Sequence, residues 1–93
     1  MKIYIAGKIT NNPNFEKDFE QAEIKLLEQG HSVLNPAKLP RGLDYEDYMH
    51  ICLAMIDVSD AVCLIGRWKD SEGAKREHKY AVKSKKIVWE GLF

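Results

Sequence analysis

The sequence predicts an α/β domain built on a four-stranded parallel sheet with helices on both faces. Short β-branched or apolar runs alternate with longer stretches of helical period, in the order β-α-β-α-β-α-β. The run from Ala61 to Ile65 is apolar without interruption, the mark of a strand covered on both sides. At 93 residues the chain can enclose one core but not two, so the domain is expected to span residues 1–93.

Lys2 to Ala6 is a β-branched and aromatic run closed by Gly7, a strand entering a tight turn. Phe15, Phe19, Ala22 and Leu26 then recur on one helical stripe. Pro13 suits the first turn of that helix and Gly30 its C-terminal stop. Ser32 to Leu34 is a brief strand running into Asn35-Pro36, and the stretch to Gly42, which contains Pro40, is expected as loop. Asp44 can cap a second helix, in which Tyr45, Tyr48, Met49, Cys52, Met55 and Ile56 form one broad apolar face ending near Val58. After the Ala61–Ile65 strand, residues 66–70 read as loop. Ser71 can cap a third helix reaching about Ser84, and Lys86 to Trp89 form the last strand. This pattern specifies a flavodoxin- or Rossmann-like arrangement, in which ligands bind outside the C-terminal ends of the strands.

Composition excludes several classes of function. Fourteen basic side chains balance fourteen acidic ones, so there is no overall field to gather nucleic acid or an anionic membrane. The lysines and arginine of the third helix and the turn after it read as a solvated face. No apolar run approaches a membrane span or the core of a signal peptide, and a cytoplasmic location is expected. Cys52 and Cys63 lie in segments that read as buried, without zinc-site spacing, and are expected as free core thiols. His31, His50 and His78 form no metal pattern, so neither metal nor cofactor is expected. The breadth of the apolar face on helix two suggests a homodimer or larger assembly.

The candidate site residues gather at the strand ends, and Asn35, directly after the second strand, is a candidate substrate contact among them. Gly7, with Lys8 and Ile9 after it, is either a plain turn or a place where a phosphate or sugar approaches the backbone; it is neither a Walker loop nor Gly-x-Gly-x-x-Gly. Ser71 is either an ordinary helix cap or a phosphate ligand at the anion-attracting start of helix three, where Gly73 would admit a ligand to the backbone. Trp68 could stack on a base, cover the crevice, or serve structure alone. Glu77 shares a helix face with Ala74 and Ala81, small residues that would pack toward the sheet. A carboxylate there costs desolvation unless it is paired or used; the alternative is a surface salt bridge.

At these residues the chain resembles the nucleoside 2-deoxyribosyltransferase superfamily, particularly the 2'-deoxynucleoside 5'-phosphate N-hydrolases and a compact bacterial and phage branch. The resemblance rests on Tyr4-Ile5-Ala6-Gly7-Lys8-Ile9, on Gly30 to Ala37 including Asn35-Pro36, on Tyr48-Met49 through Asp60-Ala61, and on Gly66 to Ala74 with Glu77 and Ala81. It implies that Glu77 is a nucleophile attacking the anomeric carbon of a deoxyribose. Tyr4 would orient it, and Ser71 would hold a 5'-phosphate where the transferases acting on unphosphorylated nucleosides tend to carry aspartate. The reaction would need no cofactor and would act on a small nucleotide or nucleoside. A catalytically silent nucleotide-binding module is the alternative, because Cys52 stands where the well-studied enzymes carry an aspartate on helix two. The chain also stops at Phe93, soon after strand four, whereas larger relatives continue and lend C-terminal residues to a neighbouring subunit's site.

Overall fold

The computed structural model describes residues 1–90, so residues 91–93 of the expected domain lie outside it. Seven main elements follow in the predicted order: β1 (Lys2–Ala6), α1 (Phe15–Glu28), β2 (Ser32–Leu34), α2 (Tyr45–Asp57), β3 (Ala61–Leu64), α3 (Glu72–Lys83) and β4 (Ile87–Glu90). The strands form one parallel sheet in the order β2-β1-β3-β4, in which Tyr4 lies opposite Leu34 on one side and Val62 on the other.

Because strand side chains alternate between faces, each strand contributes to two cores. Ile3, Ile5, Ala61, Cys63 and Ile65 pack against Phe19, Ala22 and Leu26 of α1. Tyr4, Ala6, Val62 and Leu64 pack on the opposite face with Cys52 and Ile56 of α2 and with Ala74 and Ala81 of α3. One helix therefore covers one face and two helices the other.

Several local features differ from the sequence reading. Two stretches expected as plain loop each contain a 3₁₀ turn, at Pro36–Lys38 and Trp68–Asp70. Pro13 falls outside α1, whose N-cap is Asn14. Asp44 stands at the N-cap of α2 without a side-chain capping bond, whereas Ser71 caps α3 by accepting from the Ala74 N–H at 3.1 Å. Both cysteines are buried and free. Among the described residues, no helix is long and apolar enough to cross a membrane.

The chain leaves β1 in one direction to form β2, then crosses back to place β3 on the other side of β1. The loops after β1 and β3 diverge at this reversal and open a crevice above the strand ends.

Candidate active site

A cleft of about 450 Å³ occupies this crevice on the α2/α3 side. Its walls are the turn after β1 (Gly7, Ile9, Thr10), the segment Pro36–Leu43, the first turns of α2 and the start of α3. Glu77 is the only carboxylate among the described residues lining it.

The local sequence explains how an acid comes to lie there. Ala74, Glu77 and Ala81 fall at i, i+3 and i+7, the stripe of α3 that faces the sheet, and all three are buried. The two alanines let the helix approach closely, and Glu77 is left 4 % exposed. Among the described residues it enters no ion pair, unlike its neighbour Arg76, which reaches Glu46 at the surface. Instead the Tyr4 hydroxyl donates to Glu77 Oε2 at 2.8 Å. Tyr4 is fully buried on the same sheet face, so the carboxyl group is held by a rigid strand.

Burial raises Glu77 to about 7, even though hydrogen bonds from Tyr4 and Cys52 and the charge of Arg76 act in the opposite direction. The Tyr4 phenol is pushed well above its ordinary range, first by burial and then by the negative charge of Glu77. Cys52 is pushed up to about 12 by the same two causes in the same order, so its thiol is neutral and cannot stand in for a carboxylate.

Other predicted residues divide between the cleft and elsewhere. Gly7, Ile9, Ser71 and Gly73 line the cleft with Glu77. Ser71 uses an oxygen lone pair on the Ala74 N–H, which leaves its hydroxyl proton available to a ligand. Gly7 also has a packing reason to be glycine: a Cβ there would lie 2.7 Å from Ile65 Cγ1 and 3.2 Å from the Phe19 ring. Its missing side chain therefore faces the α1 core.

Three of the predicted ligand contacts lie outside the cleft. Lys8 lines a separate groove of about 420 Å³ on the α1 side, together with Asn12 and Arg67. Asn35 is committed to structure: its Oδ1 accepts from the Ala37 N–H at 2.9 Å, and its Nδ2 donates to Glu23 at 2.9 Å. Trp68 is buried in the core, packs on His78 at 4.7 Å between ring centroids, and donates its indole N–H to Glu90 at 3.2 Å. It neither stacks toward the cleft nor covers it, because the 3₁₀ turn after Gly66 folds it inward.

Tyr48, Met49 and the Pro36–Leu43 segment also line the cleft, although the sequence pattern places none of them in the site. By its spacing, the α2 aromatic and methionine stripe reads as surplus apolar surface. Met49 is in fact buried, and Tyr48 and Met55 are partly buried against the core, so only Tyr45 of that group stays largely exposed.

Comparison with known proteins bears on the fold. The chain superposes on a 2-deoxyribosyltransferase from Leishmania mexicana with a TM-score of 0.75 and 22 % identity, covering 96 % of this chain and 62 % of that one. It thus spans less than two thirds of that protein's length. No curated protein sequence matches it. A family model described as a domain of unknown function, DUF4406, matches residues 1–90. The chain belongs to this DUF4406 family and shares the fold of that 2-deoxyribosyltransferase.

Proposed function

We propose that the protein cleaves the N-glycosidic bond of a 2'-deoxynucleoside 5'-monophosphate, with Glu77 as the nucleophile. The observation that carries this reading is a solitary carboxyl group at the floor of a nucleotide-sized cleft, buried and fixed by Tyr4. Likeness in fold to a solved 2-deoxyribosyltransferase supports it.

In the first step a Glu77 carboxylate oxygen bonds to the anomeric carbon as the carbon–nitrogen bond breaks. The electron pair of that bond leaves with the base, which takes a proton from water. The transition state resembles an oxocarbenium ion, and a close negative charge stabilises it before trapping it covalently. Water then displaces the carboxylate and releases the sugar phosphate; if a second base does so instead, the outcome is transfer. The Tyr4 bond to Oε2 fixes the rotamer of the carboxylate that attacks. Ser71 and the backbone at Gly73, at the dipole-positive start of α3, hold the phosphate.

Attack requires ionised Glu77, so kcat/KM rises with pH and levels off above about 7. Cys52 favours the second reading, a nucleotide-binding module without turnover, because its neutral thiol supplies neither charge nor a ready proton to the leaving base. Incubation with the deoxynucleoside monophosphates, followed by chromatography for free base, separates the two. Release abolished by Glu77→Ala supports the enzyme, and tight binding with no base released supports the module.

A further inference from the structure

Among the described residues, the Tyr48 hydroxyl is the single buried side-chain oxygen or nitrogen without a hydrogen-bond partner. The polar group it faces is the Cys52 thiol, a weak acceptor. An orphaned buried donor of this kind is destabilising, and the simple remedy, phenylalanine, is a small change of side chain. Tyr48 also lines the cleft beside Glu77. Burial and the neighbouring Cys52 and Glu77 keep its phenol protonated, so it can only lack an acceptor.

The cleft is graded from mouth to floor along both helices. Near the start of α3, Ser71 Oγ and the Tyr45 hydroxyl lie within 3.9 Å of where a Gly73 side chain would begin. Glu77 lies six residues further along α3, and Tyr48 lies one helical turn beyond Tyr45 on α2. A nucleotide whose phosphate sits at Ser71 and whose anomeric carbon meets Glu77 places its sugar against Tyr48. A 2'-deoxyribose 5'-phosphate in N-glycosidic linkage has one free hydroxyl, at the 3' position.

We infer that Tyr48 is a specificity-determining residue whose hydroxyl, buried at the cleft wall without a protein acceptor, donates to the 3'-hydroxyl oxygen of the bound sugar. This rests on the nucleotide reading of the cleft but not on turnover. Because the hydroxyl lies on the ring's own axis, it reaches the sugar by a swing of the side chain about the Cα–Cβ bond, which exchanges an unsatisfied donor for a satisfied one on binding. The site thereby discriminates in favour of sugars that carry this hydroxyl.

The test is a chemical double-mutant cycle by calorimetry on Glu77→Gln, which keeps the nucleotide intact, with and without Tyr48→Phe. Each 2'-deoxynucleoside 5'-monophosphate is compared with its 2',3'-dideoxy counterpart. The expected result is about a tenfold loss of affinity for the deoxynucleotide on Tyr48→Phe, less than about twofold for the dideoxynucleotide, and a melting temperature no lower than that of the parent. Equal losses for both ligands, no loss for either, or a lower melting temperature would each overturn the inference; the last would mean that the hydroxyl already has a structural partner. If the cycle holds while wild-type protein releases no base, the hydrolase reading falls and this one stands. If no deoxynucleotide binds, both fall.

Discussion

The two faces of the sheet are packed on different principles, although the same strands build both. Toward α1, Ile3, Ile5, Phe19 and Leu26 enclose a core whose one polarisable group is the Cys63 thiol, pushed up to about 11 by burial alone. Toward α2 and α3, the alternate residues bring in a phenol at Tyr4, a thiol at Cys52, a carboxyl group at Glu77 and the half-buried Tyr48. The first face is built for burial alone. The second gives up part of that gain to keep an ionisable group away from water, as expected where chemistry and packing compete. What separates them is a one-residue alternation along β1, from Ile3 to Tyr4 to Ile5.

The sharpest way to break this contrast is Glu77→Ala, which should lower base release by about 10³-fold or more while the fold persists. A rate near that of the wild type would remove the functional account of the polar face. On the other face, Phe19→Ala should cost about 3–5 kcal/mol in denaturant unfolding, independent of pH.

Glu77→Gln should do the reverse on the polar face. The acid has a folded pKa of about 7 against an ordinary 4.5, so the folded state holds the proton more tightly. Below 4.5 the group is protonated in both states and carries no pH-dependent penalty. As pH rises through this window stability declines, and above 7 the full cost, on the order of 3 kcal/mol, is present. The Gln variant should therefore melt higher than wild type at pH 8 and nearly level with it at pH 4; a constant difference would contradict the assignment. Tyr4→Phe should have the smallest effect, about tenfold in kcat/KM at neutral pH. It removes a donor to the carboxylate, so the acidic limb of the pH–rate profile should move upward.

Much of this arrangement was legible in the residues themselves. Alternation of strand and helix patterns fixed the element order, and small residues at 74 and 81 betrayed the inward stripe on which an acid was out of place. Other positions depended on directions that no periodicity carries. Lys8 and Ile9 are adjacent in a turn, yet line grooves on opposite faces. Trp68 lies in a polar loop, and its inward path depends on the left-handed backbone at Gly66 (φ 56°) and the 3₁₀ turn that follows. Asn35 is drawn away from the cleft by Glu23 of α1, a partner twelve positions distant. Pro36–Leu43 becomes a wall only because β2 ends beside β1. Local spacing cannot anticipate the satisfied or orphaned state of the Tyr48 oxygen, which depends on three elements at once.

Gly7 joins the two faces mechanically. Its backbone borders the ligand space, while the position of its absent Cβ touches Ile65 and Phe19 on the far side of the sheet. The pocket therefore has a thin rear partition, one peptide deep. Trimming or enlarging Phe19 alters the space behind that partition, so the shape of the cleft wall answers to a residue of the opposite core.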